Sequence, residues 1–203
     1  MNCNKSNHRL TCDITNTFTI PQKAKDYFVF NTGSFWIYKK IGSDERDTIT
    51  LKSIAISSTN YFPHFGGDLK KCYQNYRLNY MSSKMGDMFI IVNVLVPNEN
   101  AGLQDQIYFV AQHNPFNINY TSKTLMFKGD SIYKSDEVES DINFLDSIQI
   151  LANNYFNVLN QVLVSDEFEF YTEAFYASKT GLIKFKMATD KSIWELESYN
   201  LKN

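Results

Sequence analysis

The chain of 203 residues lacks most of the features by which a sequence announces a reaction. A membrane-spanning helix needs about eighteen consecutive apolar residues, and the longest apolar run, Met88 to Val96, is interrupted by Asn93. The three cysteines, Cys3, Cys12 and Cys72, have none of the CxxC spacing of a zinc site or a thioredoxin-like motif, which argues against sulfur-ligated metal. There is no GxSxG elbow, HExxH, Walker loop or GxGxxG, and FGGD at 65–68 is a turn too short to cradle a phosphate. No cofactor is therefore expected. A basic field is missing too: 20 Lys and Arg face 22 Asp and Glu, and the net charge is -2. The pairs Lys39-Lys40 and Lys70-Lys71 read as charges that keep strand ends in solution, so no nucleic-acid partner is expected.

What the sequence does have is aromatic residues, 16 Phe and 13 Tyr among them. Flat rings pack well on pleated surfaces, so this composition favours strands. The stretch YFVFNTGSFWIYKK, residues 27 to 40, reads as strand, turn and strand, with Phe28 and Phe30 alternating, Gly33 taking φ > 0 and Phe35 to Tyr38 resuming. In TITLKSIAI, Ile49 and Leu51 share one parity and Ile54 and Ile56 the other, which predicts a bulge near Ser53. YQNYRLNYM puts Tyr76, Leu78 and Tyr80 on one face. MFIIVNVLV is apolar on both parities and should pair with QIYFVA, while GLIKFKM and SIWELESYNL should close the chain as a hairpin.

Residues 142–162 are ambiguous. Ile142, Leu145, Ile148, Leu151, Tyr155, Val158 and Val162 recur at three and four, as on an amphipathic helix. Asn153-Asn154, suited to a tight turn, and the helix-disfavouring asparagines around it favour strand, turn and strand instead. The expected fold is mainly β: an antiparallel, strongly curved sheet, half barrel or sandwich, with little helix. Residues 1–25 read as a flexible polar leader that becomes ordered only near Phe18 to Pro21, and residues 26–203 as a single β-rich domain.

Candidate chemistry is sparse. Glu167, Glu169 and Glu173 lie on one alternating segment, and the first two point the same way at about 7 Å, loosely a glycosidase acid–base separation. A solvated strand face explains them as simply. His64 and Asp68 could orient and activate Cys72, though nothing marks an oxyanion hole; His113 lies beside a proline in a second loop. Asp136, Glu137 and Asp141 could hold calcium but lack EF-hand spacing, so no metal is expected. The rings of Phe28, Phe30, Trp36 and Tyr38 would cover one face of a curved sheet, either filling its concave side as core or lining a pocket there as ligand contacts.

Three segments share a likeness. Gly33, Ser34, Trp36, Tyr38 and Lys39 open the pattern, Asn153, Tyr155, Asn157 and Val158 form its middle, and Tyr176, Ala177, Lys179, Gly181, Leu182, Ile183, Trp194, Leu196 and Tyr199 close it. Together they resemble uncharacterised Bacteroidetes-type envelope lipoproteins, in which such segments recur over most of the domain. Asn154 and Thr180 depart from that pattern, each standing where a glycine is common. The resemblance implies a curved β fold and export, with Cys3 as a lipid attachment point and membrane contact only through that anchor. Export would place Cys12 and Cys72 in an oxidising compartment, where they could pair. The start MNCNKSNHRL has no apolar targeting segment, so a missing upstream signal is expected; without one the protein would be cytosolic. The functional expectation is a non-enzymatic envelope domain that binds an apolar or amphipathic ligand or a partner protein. The alternatives are a surface hydrolase acting on glycan or peptide, and a structural lipoprotein docking to an envelope component.

Overall fold

Strand-forming segments separated by Gly-, Asn- and Asp-rich turns give one large sheet. The computed structural model describes residues 12, 17–20, 22–60, 72–95, 106–113, 123–128, 131–133, 140–163 and 171–202. In chain order the elements are β1 (Thr17–Phe18), α1 (Gln22–Phe28), β2 (Phe35–Lys40), β3 (Arg46–Asn60), β4 (Cys72–Ser82), β5 (Gly86–Leu95) and β6 (Gln106–His113). Then follow β7 (Lys123–Lys128), β8 (Ser131–Tyr133), β9 (Ser140–Ile150), β10 (Asn153–Leu163), β11 (Tyr171–Ala177), β12 (Gly181–Met187) and β13 (Ile193–Asn200).

The strand order is β8-β7-β6-β5-β4-β3-β2-β13-β12-β11-β10-β9, with β1 alongside β4. Two antiparallel meanders, β2 to β8 and β9 to β13, thus meet where β2 pairs with β13. The sheet is not closed into a barrel, and β8 and β9 are its edges. Curvature follows from what α1 touches. Six strand steps separate β4 from β10, about 29 Å in a flat sheet, whereas a seven-residue helix spans only about 10 Å. Yet the Lys25 ammonium of α1 lies 5.8 Å from the Tyr76 ring of β4, and the Tyr27 hydroxyl donates to the Asn157 carbonyl of β10 at 2.8 Å. The sheet curls around the helix, as the expected curved sheet requires.

Several expectations hold in detail. The register of β3 against β4 shifts between Leu51 and Ser53, so Ile49 and Leu51 are buried while Ile54 still packs against the core. Tyr76, Leu78 and Tyr80 are buried together, β5 pairs with β6, and β12 with β13. Residues 140–163 form a hairpin rather than a helix. Its turn is not at Asn153-Asn154 but at Leu151-Ala152, with Leu151 at φ 52°. The observed register sets Tyr155 opposite Ile148 and Val158 opposite Leu145. A two-residue turn at Asn153-Asn154 would set Leu159 opposite Ile148 and Val162 opposite Leu145, so apolar pairing across the strands is available in either register and does not by itself choose the turn.

Two expectations need correction. Phe28 is not in a strand: it ends α1, and Phe30 lies in the segment leading to β2. Ala24, Tyr27 and Phe28 are the buried residues of the helix, a three-and-four spacing. Alternation of Phe28 and Phe30 mimicked a strand because only the second member of that pair lies outside the helix. The packed part of the chain also starts before residue 26. β1 pairs in parallel with Cys72 and Tyr73, Ile20 and Ala24 are buried, and Cys12 forms a disulfide with Cys72, Cα to Cα 5.6 Å. This strap of Cys12, β1 and α1 holds the helix in the bowl of the sheet.

Candidate functional site

Among the described residues, two spaces border helix α1. Trp36 and Tyr38 alternate inward from β2, α1 contributes Tyr27 and Phe28, and Tyr80, Tyr171 and Tyr176 come from β4 and β11. Phe30 meets Trp36 edge-on at 5.2 Å between ring centroids, as Phe28 meets Tyr176. Four polar tips in this cluster find partners. The indole N–H of Trp36 donates to the Thr180 carbonyl at 2.6 Å, Tyr38 donates to the Leu182 carbonyl at 2.8 Å, and the Tyr171 and Tyr176 hydroxyls bond each other. Burial pushes the Tyr38, Tyr80 and Tyr176 phenols above their usual range, so they remain protonated.

The four sequence-predicted ring contacts, Phe28, Phe30, Trp36 and Tyr38, therefore do come together, around a cavity of about 50 Å³. Small-molecule sites run to about 300–1,000 Å³; this space matches an imperfection of core packing. Gly181, at φ +89°, is part of it, because a Cβ there would lie 2.9 Å from Phe30 Cε2. Gly181→Ala combines an unfavourable left-handed backbone with a clash against a ring held by Trp36, and should lower stability by about 2 kcal/mol or more. Chemical denaturation would measure this, and an unchanged midpoint would show that the Phe30 ring is free to move.

The second space is a cleft of about 1080 Å³ between α1, the β9–β10 hairpin, the β11–β12 turn and the end of β13. Its wall from the helix is fixed by two bonds near the helix C-terminus. Lys179 N–H caps the Asp26 carbonyl at 2.6 Å, satisfying one of the carbonyls left open at a helix C-terminus, and Tyr27 bonds Asn157 as above. Asn157 itself has φ 51°, a left-handed conformation that asparagine tolerates, and its carbonyl is turned toward the helix. On the opposite wall the register of β13 against β2 shifts between Leu196 and Ser198, which pairs Tyr199 with Trp36 and turns it to the same face.

Large rings stand open in this cleft. Phe156 is 63% exposed, Phe144 50% and Tyr199 44%, and all three line it. Interleaved with them are Asn153, Asn154, Asn157, Ser178 and Ser198. Of its charged groups, Glu197 receives a two-pronged bond from Arg46 at 2.7 and 2.8 Å, which holds its carboxyl below the usual range and makes it a fixed charge rather than a proton donor. Asp26 accepts from the Gln22 amide at 2.8 Å. The sequence reading missed this cleft, and alternation along the strands does not mark it: Phe144 shares its parity with the core-packed Ile148 and Ile150 and pairs with the buried Leu159, and Phe156 shares its parity with the buried Val158.

The catalytic alternatives fare differently. Cys72 is fully buried and bonded to Cys12, so it is no thiolate nucleophile, and the His64–Cys72 arrangement is excluded as a reactive pair. Glu173 is half-buried and accepts from the Asn160 amide at 3.1 Å. His64, Asp68, Glu167, Glu169, Asp136, Glu137 and Cys3 lie outside the described residues, as do the side chains of His113 and Asp141. Among the described residues no three His, Cys, Asp or Glu side chains converge as metal ligands, and no helix is long and apolar enough to cross a membrane. No protein-family model, curated protein or solved structure matches the chain.

Proposed function

We propose that this protein is a non-enzymatic binding domain of the cell envelope that takes an amphipathic ligand in the cleft walled by α1, β9–β10 and β13. One observation carries the reading: Phe144, Phe156 and Tyr199 are exposed together in a recess of about 1080 Å³. Clustered exposed rings in a concave surface are favourable only if something covers them. Placement in the envelope, as an exported lipoprotein, is supported by the resemblance of the three aromatic segments and by the Cys12–Cys72 disulfide, a bond that persists in oxidising compartments.

The test is a two-dimensional amide spectrum of the full chain titrated with a panel of lysolipids, alkyl glycosides, oligosaccharides and short peptides. Saturable shifts should cluster on Phe144, Tyr155, Phe156, Ser178 and Tyr199, while signals from Tyr38 and Phe185 in the core stay put. The reading fails if no compound in the panel moves the cleft residues.

A further inference from the structure

We infer that the ligand of this cleft is a neutral oligosaccharide, a conclusion that rests on the cleft being a binding site. A lipid chain is matched by continuous apolar lining, the kind found around Phe30 and Trp36 in the closed core. The cleft is built otherwise. Its rings are set apart by amides and hydroxyls: Asn153, Asn154 and Asn157 run through the same hairpin that carries Phe156, and Ser198 precedes Tyr199. A sugar ring shows the complementary pattern. Its C–H faces carry partial positive charge and pack on the negative faces of aromatic rings, while its rim of hydroxyls both donates and accepts. Each asparagine offers one amide donor group and one carbonyl acceptor, and each serine hydroxyl does both, so these side chains meet hydroxyls in either sense.

Charge points the same way. Lys23 and Lys179 are formally balanced by Asp26 and Asp146 in the lining, and the fifth charge, Glu197, is neutralised by Arg46. A site so balanced sets up no net field to attract an anionic or cationic headgroup. Its volume lies just above the usual range of small-molecule sites, which leaves room for more than one sugar ring. Three separate ring platforms, Phe144, Phe156 and Tyr199, suit a ligand that extends across the mouth.

The experiment is calorimetric titration of the full chain with neutral glucan, mannan and N-acetylglucosamine oligomers, alongside a lysolipid and an extended peptide, at about 0.05 and 0.5 M salt. At least one oligosaccharide should bind, with affinity changed by less than about twofold across that salt range. Phe156→Ala and, separately, Phe144→Ala should each weaken it about tenfold. Both side chains are half-exposed or more, and unchanged thermal midpoints would show that the variants remain folded. Binding of the lysolipid or peptide at the cleft with none of the oligosaccharides would overturn the sugar assignment and leave the binding site standing. Silence from every compound would remove both. Binding that fades with salt, or that survives loss of both rings, also overturns the assignment.

Discussion

Trp36→Ala should lower the unfolding free energy by about 3–5 kcal/mol, the range for removing a large buried aromatic side chain. The indole is 3% exposed, meets Phe30 edge-on and lies 6.0 Å from the Tyr80 ring. The site has little freedom to collapse, because the neighbours are held independently: Tyr38 by the Leu182 carbonyl, and Tyr171 and Tyr176 by each other. A second loss adds to the cavity, since the Thr180 carbonyl loses its donor. Trp36→Phe separates the two contributions. It keeps a ring but leaves that carbonyl unpaired, and should cost about 1–3 kcal/mol. Urea denaturation with a common slope for both variants is the measurement. A loss below about 1 kcal/mol for Trp36→Ala would mean that the aromatic centre repacks freely, and would make the small cavity a more adaptable space than it looks.

Breaking the Cys12–Cys72 bond should have an effect of similar size for a different reason. The two residues are 60 apart in sequence, and closing a loop of that length in the unfolded chain corresponds to about 4 kcal/mol in the chain-entropy account. The denaturation midpoint of the oxidised protein should therefore fall when reductant is added, and the slope should rise as the unfolded state loses its cross-link. Cys12→Ser is the variant of choice, because Cys72 is wholly buried and a serine there would add an unrelated polar cost. The bond also anchors the strap that carries α1. Gln22, Lys23 and Asp26 of that helix wall the cleft, so ligand affinity should weaken in the same variant. A midpoint indifferent to reductant would show that β1 pairing and the burial of Ile20, Ala24, Tyr27 and Phe28 suffice to seat the strap.

How much of this was legible beforehand differed by element. Strands with one solvated face, such as Tyr76 to Tyr80, declared themselves by alternation. The bulge in β3 was readable because its apolar residues change parity at Ser53. The hairpin at 140–163 was reachable through its asparagines, but the turn was not, since apolar residues meet across the strands in either register. Helix α1 was missed because it is one short element with three buried residues, and its burial exists only once the sheet has curled around it. For the site, the four rings chosen from the sequence are indeed neighbours, yet they face one another in the core. The open rings of the cleft come from three strands and become a group only through the hairpin register and the shift near Glu197. No spacing along the chain encodes that.

The strand order has a consequence for how the chain reaches this structure. Within each meander every strand pairs with its sequence neighbour, so those contacts are short in sequence and quick to search. The seam between β2 and β13 is different: across it Arg46 and Glu197 join although they are 151 residues apart. The closure entropy of most of the chain is thus concentrated in one docking event rather than spread over the sheet. Two half-sheets can form early and independently, each with an unsatisfied central edge. The aromatic core, whose Tyr38 and Phe185 rings meet across that seam, cannot be completed until the halves join.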